Sequence, residues 1–247
     1  MKPSFFATIR VMCTLTAVLS VGNAHGEFGY PILPDFTPGL NPSLIFNTNL
    51  RLYNRITQER LHGIDSRRRT RHLSPRGPRS SLSTGRDFAT TQGIRQLVAS
   101  YPPENQPRMA AQFKQLIAAF NDTMPRTYGI PRNNLASAYA AVLAGSYCAY
   151  TSRPFPDHAV KPLYRQLEQI MLSKPAIHQA STDDKNTLYQ VWVGLGMFML
   201  MGQAELAKHP NPAQQAQLQK IGGDSLRALL GVEPDRVRFT ASGLKLL

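Results

Sequence analysis

From residue 90 onward, apolar residues recur every three or four positions and strand-like alternation is scarce. That period belongs to helices with one buried stripe. Ile94, Leu97, Val98 and Tyr101 form the first stripe, closed by Pro102-Pro103. Met109, Phe113, Leu116, Ile117 and Phe120 form a second, on a helix expected from about Pro107 to Asp122 or Met124, ahead of Pro125. Gly129-Ile130-Pro131 turns the chain. Asn133 or Asn134 then caps a third helix, Leu135 to Tyr150, which is apolar or small nearly all round and suits the middle of a bundle. A fourth helix carries Leu163, Leu167, Ile170 and Met171, with Pro162 in the first turn, where a missing N–H costs nothing. Ser181 or Thr182 caps a fifth, and Asp183 and Asp184 sit at the positive end of its dipole. Leu188, Val191, Trp192, Leu195, Phe198, Met199 and Leu200 make that fifth helix the expected core element. A sixth runs from roughly Ala213 to Leu230 and stops at Gly231, with Gly222-Gly223 inside it as a place for a break or kink. Val237-Arg238-Phe239-Thr240 reads as extended. The expected fold class is all-α, a bundle of five or six helices over residues 87–247, long enough for one domain with its own core.

The other end of the chain has different patterning. Lys2 and Arg10 precede an uncharged, mostly apolar run from Val11 to Val21, followed by Gly22-Asn23-Ala24. A positive start, an apolar stretch and small residues before a cleavage point make a signal peptide of residues 1–24. Cleavage is expected after Ala24, with Gly26 as the alternative. The run is about half the ~20 residues that a membrane-spanning helix needs. Cys13 follows Arg10-Val11-Met12, which is not the small-residue setting of a lipid-anchored cysteine. The chain is therefore expected to be exported, periplasmic or secreted, from a bacterial cell. Once the signal leaves, Cys148 is the sole cysteine, so no intrachain disulfide can form and stability must come from the core. Cys148 lies among small and aromatic residues, as a packed thiol does rather than a catalytic one.

Residues 25–86 read as a flexible, Pro- and Arg-rich segment. Phe28, Tyr30, Pro31, Pro34, Phe36, Pro38 and Pro42 favour an extended, polyproline-like chain. Ile45, Leu52 and Ile56 recur at roughly helical spacing, and Arg55 and Glu59 are an i,i+4 pair that supports a short helix there. The formal net charge of the whole chain is +13, and it is unevenly placed. Arg51, Arg55, Arg60, Arg67, Arg68, Arg69, Arg71, Arg76, Arg79 and Arg86 are opposed only by Glu59 and Asp65. Such a stretch has too little apolar surface to fold alone. The first nine of these arginines are the candidate contact to an anionic surface: lipid head groups, lipopolysaccharide or an acidic envelope protein. The competing reading is a solvated tether whose charge only aids solubility. Nucleic acid is disfavoured by the compartment, and no aromatic residues interleave the arginines as stacking platforms.

Candidate chemistry in the helical part is sparse, and no cofactor or metal signature emerges. Met197, Met199 and Met201 are soft thioether ligands of the kind exported copper proteins use. On a helix, however, Met199 points away from the other two, and core packing explains all three. His25, His62, His72, His158, His178 and His209 contain no i,i+4 pair. Asp157-His158 and Asp183-Asp184 each admit an acid–base reading and a simpler one as helix-start residues. Glu168 has no companion visible in the sequence. Gly194-x-Gly196 sits inside a helix with no strand before it, so it reads as a helix–helix contact and not a phosphate loop.

Gly129-Ile130-Pro131-Arg132-Asn133-Asn134-Leu135-Ala136 and the Ala-rich helix after it resemble an uncharacterised family of exported bacterial proteins. Ser181-Thr182-Asp183-Asp184-Lys185 adds to the likeness, as does Leu230-Gly231 with Phe239-Thr240-Ala241-Ser242-Gly243-Leu244. The resemblance covers about residues 87–247 and implies an exported helical domain without an assigned activity. The reading that results is a non-enzymatic binding or scaffolding module that contacts an anionic partner or envelope surface. Its rivals are an envelope hydrolase built on a carboxylate such as Glu168 or Asp184, and a Met-based metal binder.

Overall fold

A computed structural model describes residues 79–247. The signal peptide, the extended aromatic stretch and Arg51 to Arg76 lie outside the described residues, and Arg79 opens the first short turn, Arg79–Leu82. The expected all-α class holds: seven α-helices and one terminal hairpin make up the described residues. These are α1 (Gln92–Val98), α2 (Gln106–Thr123), α3 (Leu135–Thr151), α4 (Val160–Leu172), α5 (Pro175–Gln179), α6 (Thr182–Leu206) and α7 (Pro212–Leu230). The strands β1 (Val237–Thr240) and β2 (Gly243–Leu246) pair antiparallel, Val237 opposite Leu246 and Thr240 opposite Gly243. The expected extended stretch is thus β1, and the partner that the periodicity did not announce is β2. The further helix is α5, a single turn whose proline stands at its start and whose Ile177 is fully buried.

Local chemistry sets most helix ends. The Asn134 side chain accepts from the N–H groups of Ala136 and Ser137, and so satisfies two of the four donors a helix start leaves unpaired. Ser181 does the same for Asp184, and its hydroxyl also donates to the Asp184 carboxylate. Asn211 caps α7 through the N–H of Gln214, and Gly231 ends it in the left-handed conformation at φ 66°. Pro125 stops the α-geometry of α2, because it has no N–H for the carbonyl four residues back. The chain does not leave the axis there. It continues through one π-helical turn, Met124–Tyr128, closed by Gly129 at φ 64°.

The core is built around α6, which packs on α3, α1, α2 and α7, while α3 also meets α7 and α4. Every residue from Leu188 to Leu200 is buried, so this stretch is core on all sides and not amphipathic. Trp192 is fully buried, with its ring 4.8 Å from that of Tyr139 on α3. The two helices cross at glycines. A Cβ on Gly145 would overlap the backbone of Gly196, and one on Gly196 would overlap the Ala141 carbonyl. Gly222 of α7 lies against the Ser146 and Tyr150 backbone in the same way, and α7 runs through Gly222-Gly223 without a break. Packing also reaches back before residue 87: Leu82 and Thr84 are fully buried, and the Thr84 N–H bonds the Asn133 carbonyl at 2.9 Å. Among the described residues no helix is long and apolar enough to cross a membrane.

Candidate functional site

The residues that the sequence offered for catalysis are held in local structural roles. Asp184 belongs to the cap of α6, and Asp183 lies exposed beside it. Glu168 is buried and does have a companion: the Tyr164 hydroxyl, one turn earlier on α4, donates to its carboxylate at 2.6 Å. Burial pushes the Cys148 thiol up to about 12, which keeps it protonated and unreactive at neutral pH. Met197 and Met199 are buried among core side chains, and Met201 packs against them from the edge. His158 is exposed, whereas Asp157 faces inward and accepts a hydrogen bond from the Tyr128 hydroxyl at 3.0 Å. Among the described residues no three His, Cys, Asp or Glu side chains are grouped as metal ligands.

Two other constellations were hidden from the sequence. The first is a polar network along the N-terminal half of α6. Tyr189 donates its hydroxyl to Asn121 Oδ1, on α2. The same oxygen accepts from the Asn133 N–H at 3.4 Å, while Asn121 Nδ2 donates to Asp87 at 3.0 Å and to Asn133 Oδ1 at 3.1 Å. Asn121 is 1 % exposed and uses all four of its hydrogen-bonding positions, the most its side chain can make. Burial pushes the Tyr189 phenol above its ordinary range. Outside, Arg132 reaches both Asp87 and Asp122, at 3.5 and 3.4 Å. One turn along α6 and its neighbour, Asn186 donates to the carbonyls of Thr84 and Arg86, and Gln190 accepts from the Ile94 N–H at 3.1 Å. That last contact replaces a cap, since Thr91 at the start of α1 provides none. The network ties the entering chain to α6.

Lys185 stands apart. It is 7 % exposed, no carboxylate pairs with it among the described residues, and burial lowers its ammonium below the ordinary lysine range. Its place in the first turn, beside the exposed residues 181–184, keeps that cover shallow.

The second constellation is a small apolar hollow between the end of α2, the π turn, α3 and the start of α4, with free space for about two water molecules. Three alanines of α3, Ala140, Ala141 and Ala144, form one wall, and Phe120, Met124 and Phe155 supply others. Met124 and Tyr128 bring the π turn to the same hollow. Among the described residues, Tyr128 and Asp157 are the polar ones that line it.

A family of unknown function, DUF6683, matches the chain over residues 49–247. The match starts ahead of the span from which the resemblance was read, and so takes in the arginines from Arg51 to Arg86. No curated protein and no solved structure matches the chain.

Proposed function

The chain belongs to the DUF6683 family, and we propose that it works as an exported, non-enzymatic binding or scaffolding module of the bacterial envelope. In this reading the helical domain supplies a rigid shape, and the arginine stretch contacts an anionic partner or envelope surface. The observation that carries it is the segregation of charge: ten arginines against two acidic residues between Arg51 and Arg86. Near an anionic membrane each such residue is worth about 1 kcal/mol, and salt screens the attraction beyond about 10 Å. That the family match includes this stretch supports treating it as part of the working protein. The cap role of Asp184, the Tyr164–Glu168 pair and the raised Cys148 thiol support the non-enzymatic side, because each explains a reactive side chain by local structure.

The test uses the mature chain from His25 and vesicles of phosphatidylglycerol and phosphatidylcholine, over a range of salt. Replacing Arg67, Arg68, Arg69 and Arg71 by Gln together should weaken binding about a hundredfold or more, at ~1 kcal/mol each. Binding by the unsubstituted chain should fall steeply with salt. If the four substitutions change nothing, or the mature chain ignores the vesicles at low salt, the surface-contact reading fails. Mass spectrometry of protein recovered from the producing cell tests export separately, since it expects a mature N-terminus at His25.

A further inference from the structure

The terminal hairpin has two unlike faces. Its inner face packs: Val237 and Leu244 are buried, and the Phe239 ring lies 5.0 Å from that of Tyr147 and 4.8 Å from that of Phe155. Alternation along the strands sends Arg238, Lys245 and Leu247 to the other side. Leu247 follows β2 and keeps its register, since its N–H bonds the Arg236 carbonyl at 2.9 Å. Arg238 and Lys245 stand directly opposite each other, and both are exposed. Like charges so placed work against a hairpin. The acids just before β1 do not relieve them. Glu233 pairs with Arg227 at 2.9 Å and Asp235 accepts from the Tyr150 hydroxyl, so among the described residues no carboxylate pairs with Arg238 or Lys245.

Helix α4 borders the outer edge of β2. Gln166 accepts from the Leu244 N–H at 2.8 Å and donates to its carbonyl at 3.0 Å, and a Cβ on Gly243 would meet Gln166 and the Pro162 carbonyl. Lys161 and Arg165, each next in sequence to one of those two residues, are exposed and four positions apart, a second pair of like-charged neighbours. Leu247 is 62 % exposed, the one large apolar side chain left so open among the described residues. Cations around an exposed leucine match a bilayer interface, where phosphates take the charges and the apolar side chain enters the head-group and acyl boundary. A soluble polyanion offers such a leucine no apolar surroundings.

We infer that the outer face of this hairpin, with the α4 edge beside it, is where the helical domain meets an anionic bilayer. Phosphates sit on Arg238, Lys245, Lys161 and Arg165, and Leu247 enters between the head groups. The inference rests on the surface-contact reading above and assigns the folded part of that contact. Its test uses the mature chain from His25 and vesicles of phosphatidylglycerol with brominated phosphatidylcholine, a quencher of tryptophan in the acyl region. Arg238→Gln with Lys245→Gln should weaken binding about thirtyfold, with an unchanged urea midpoint. If that pair unfolds the protein, Lys245→Glu decides in its place and should cost about tenfold or more. The chain's single tryptophan, Trp192, is fully buried, so Leu247→Trp adds one exposed reporter, whose emission the vesicles should quench. Hairpin variants that bind as the unsubstituted chain does would overturn the assignment. Weakened binding without quenching at position 247 would also overturn it, and give the face to a soluble polyanion. The four substitutions from Arg67 to Arg71 separate the two readings. Should they change nothing while the hairpin pair weakens binding, the arginine stretch is a tether and the hairpin face stands.

Discussion

The two halves of α6 are held by opposite means. Up to Gln190 the helix is fastened by amide and phenol hydrogen bonds, from Asn186 to Thr84 and Arg86, from Tyr189 to Asn121, and from Gln190 to the start of α1. From Val191 to Leu200 it is fastened by packing, where Gly196 and Gly145 let two backbones meet and Trp192, Phe198 and Met199 fill the space around them. The dry half can be regular because helix-to-helix packing leaves few polar groups to satisfy. The wet half meets irregular chain, residues 83–91 and 129–134, whose backbone donors and acceptors have no helix of their own. Side chains of α6 and α2 fill that need, which is why polar residues stand buried at Asn121, Asn186 and Gln190. The lesson is that burial of a polar residue here reports the irregularity of its neighbour.

Breaking the dry half should have the largest effect. Gly196→Ala drives a Cβ into the Ala141 carbonyl, which is backbone and cannot move aside cheaply, so a loss of about 3 kcal/mol or more is expected in urea unfolding. Gly145→Ala strikes the same crossing, and the pair should cost clearly less than the sum of the single changes.

In the wet half, Asn121→Ala removes four hydrogen bonds at once and strands the Tyr189 hydroxyl and the Asn133 N–H in the interior. About 2–3 kcal/mol is the expected loss, again read from urea unfolding. Should it cost less than about 0.5 kcal/mol, water must be replacing the amide, and the contrast between the halves weakens.

The wet half should also show itself in alkali. Burial raises the Tyr189 phenol, and that of Tyr101 at the end of the α1 segment, above the ordinary value of 10.0. A group whose folded value is raised contributes its full stability below the unfolded value and loses it as pH climbs toward the folded one. Stability should therefore decline from about pH 10 upward, and less steeply in Tyr189→Phe, as followed by thermal unfolding across that range.

The smallest effect has the opposite sign. Lys185 carries an ammonium that burial disfavours, so its lowered value works against the fold at neutral pH and relents as pH rises toward that of free lysine. Lys185→Met keeps the apolar stem and removes the charge, and should stabilise the protein at pH 7 by up to about 1 kcal/mol. A destabilisation there would mean that the ammonium has a role the packing does not reveal.

Much of the fold was legible because it rests on contacts near in sequence. The caps at Asn134 and Ser181, the proline in the first turn of α4 and the stop at Gly231 act within four residues and follow from residue type. The apolar stretch after Val191 announced the central helix for the same reason. Less was legible at the single turn α5, which is too short to show a period, and at β2, whose pairing depends on β1 folding back. Pro125 ended α2 as expected, but the π turn after it required the wall that Tyr128 and Met124 complete.

The sequence by itself determined the helical class, the order of the helices, most of their ends and the separation of charge, because each is a matter of periodicity, local capping or composition. Only the tertiary structure decided which residues meet. Asn121 and Tyr189 stand 68 positions apart, Asn186 and Thr84 102, and Tyr128 and Asp157 29, and nothing local marks any of them as partners. The same holds for the pocket. Ala140, Ala141 and Ala144 read as helix formers on α3, and they become a wall only where α2 turns past them and Phe155 folds across. A hollow is the space that several elements fail to fill, so no one of their sequences can specify it.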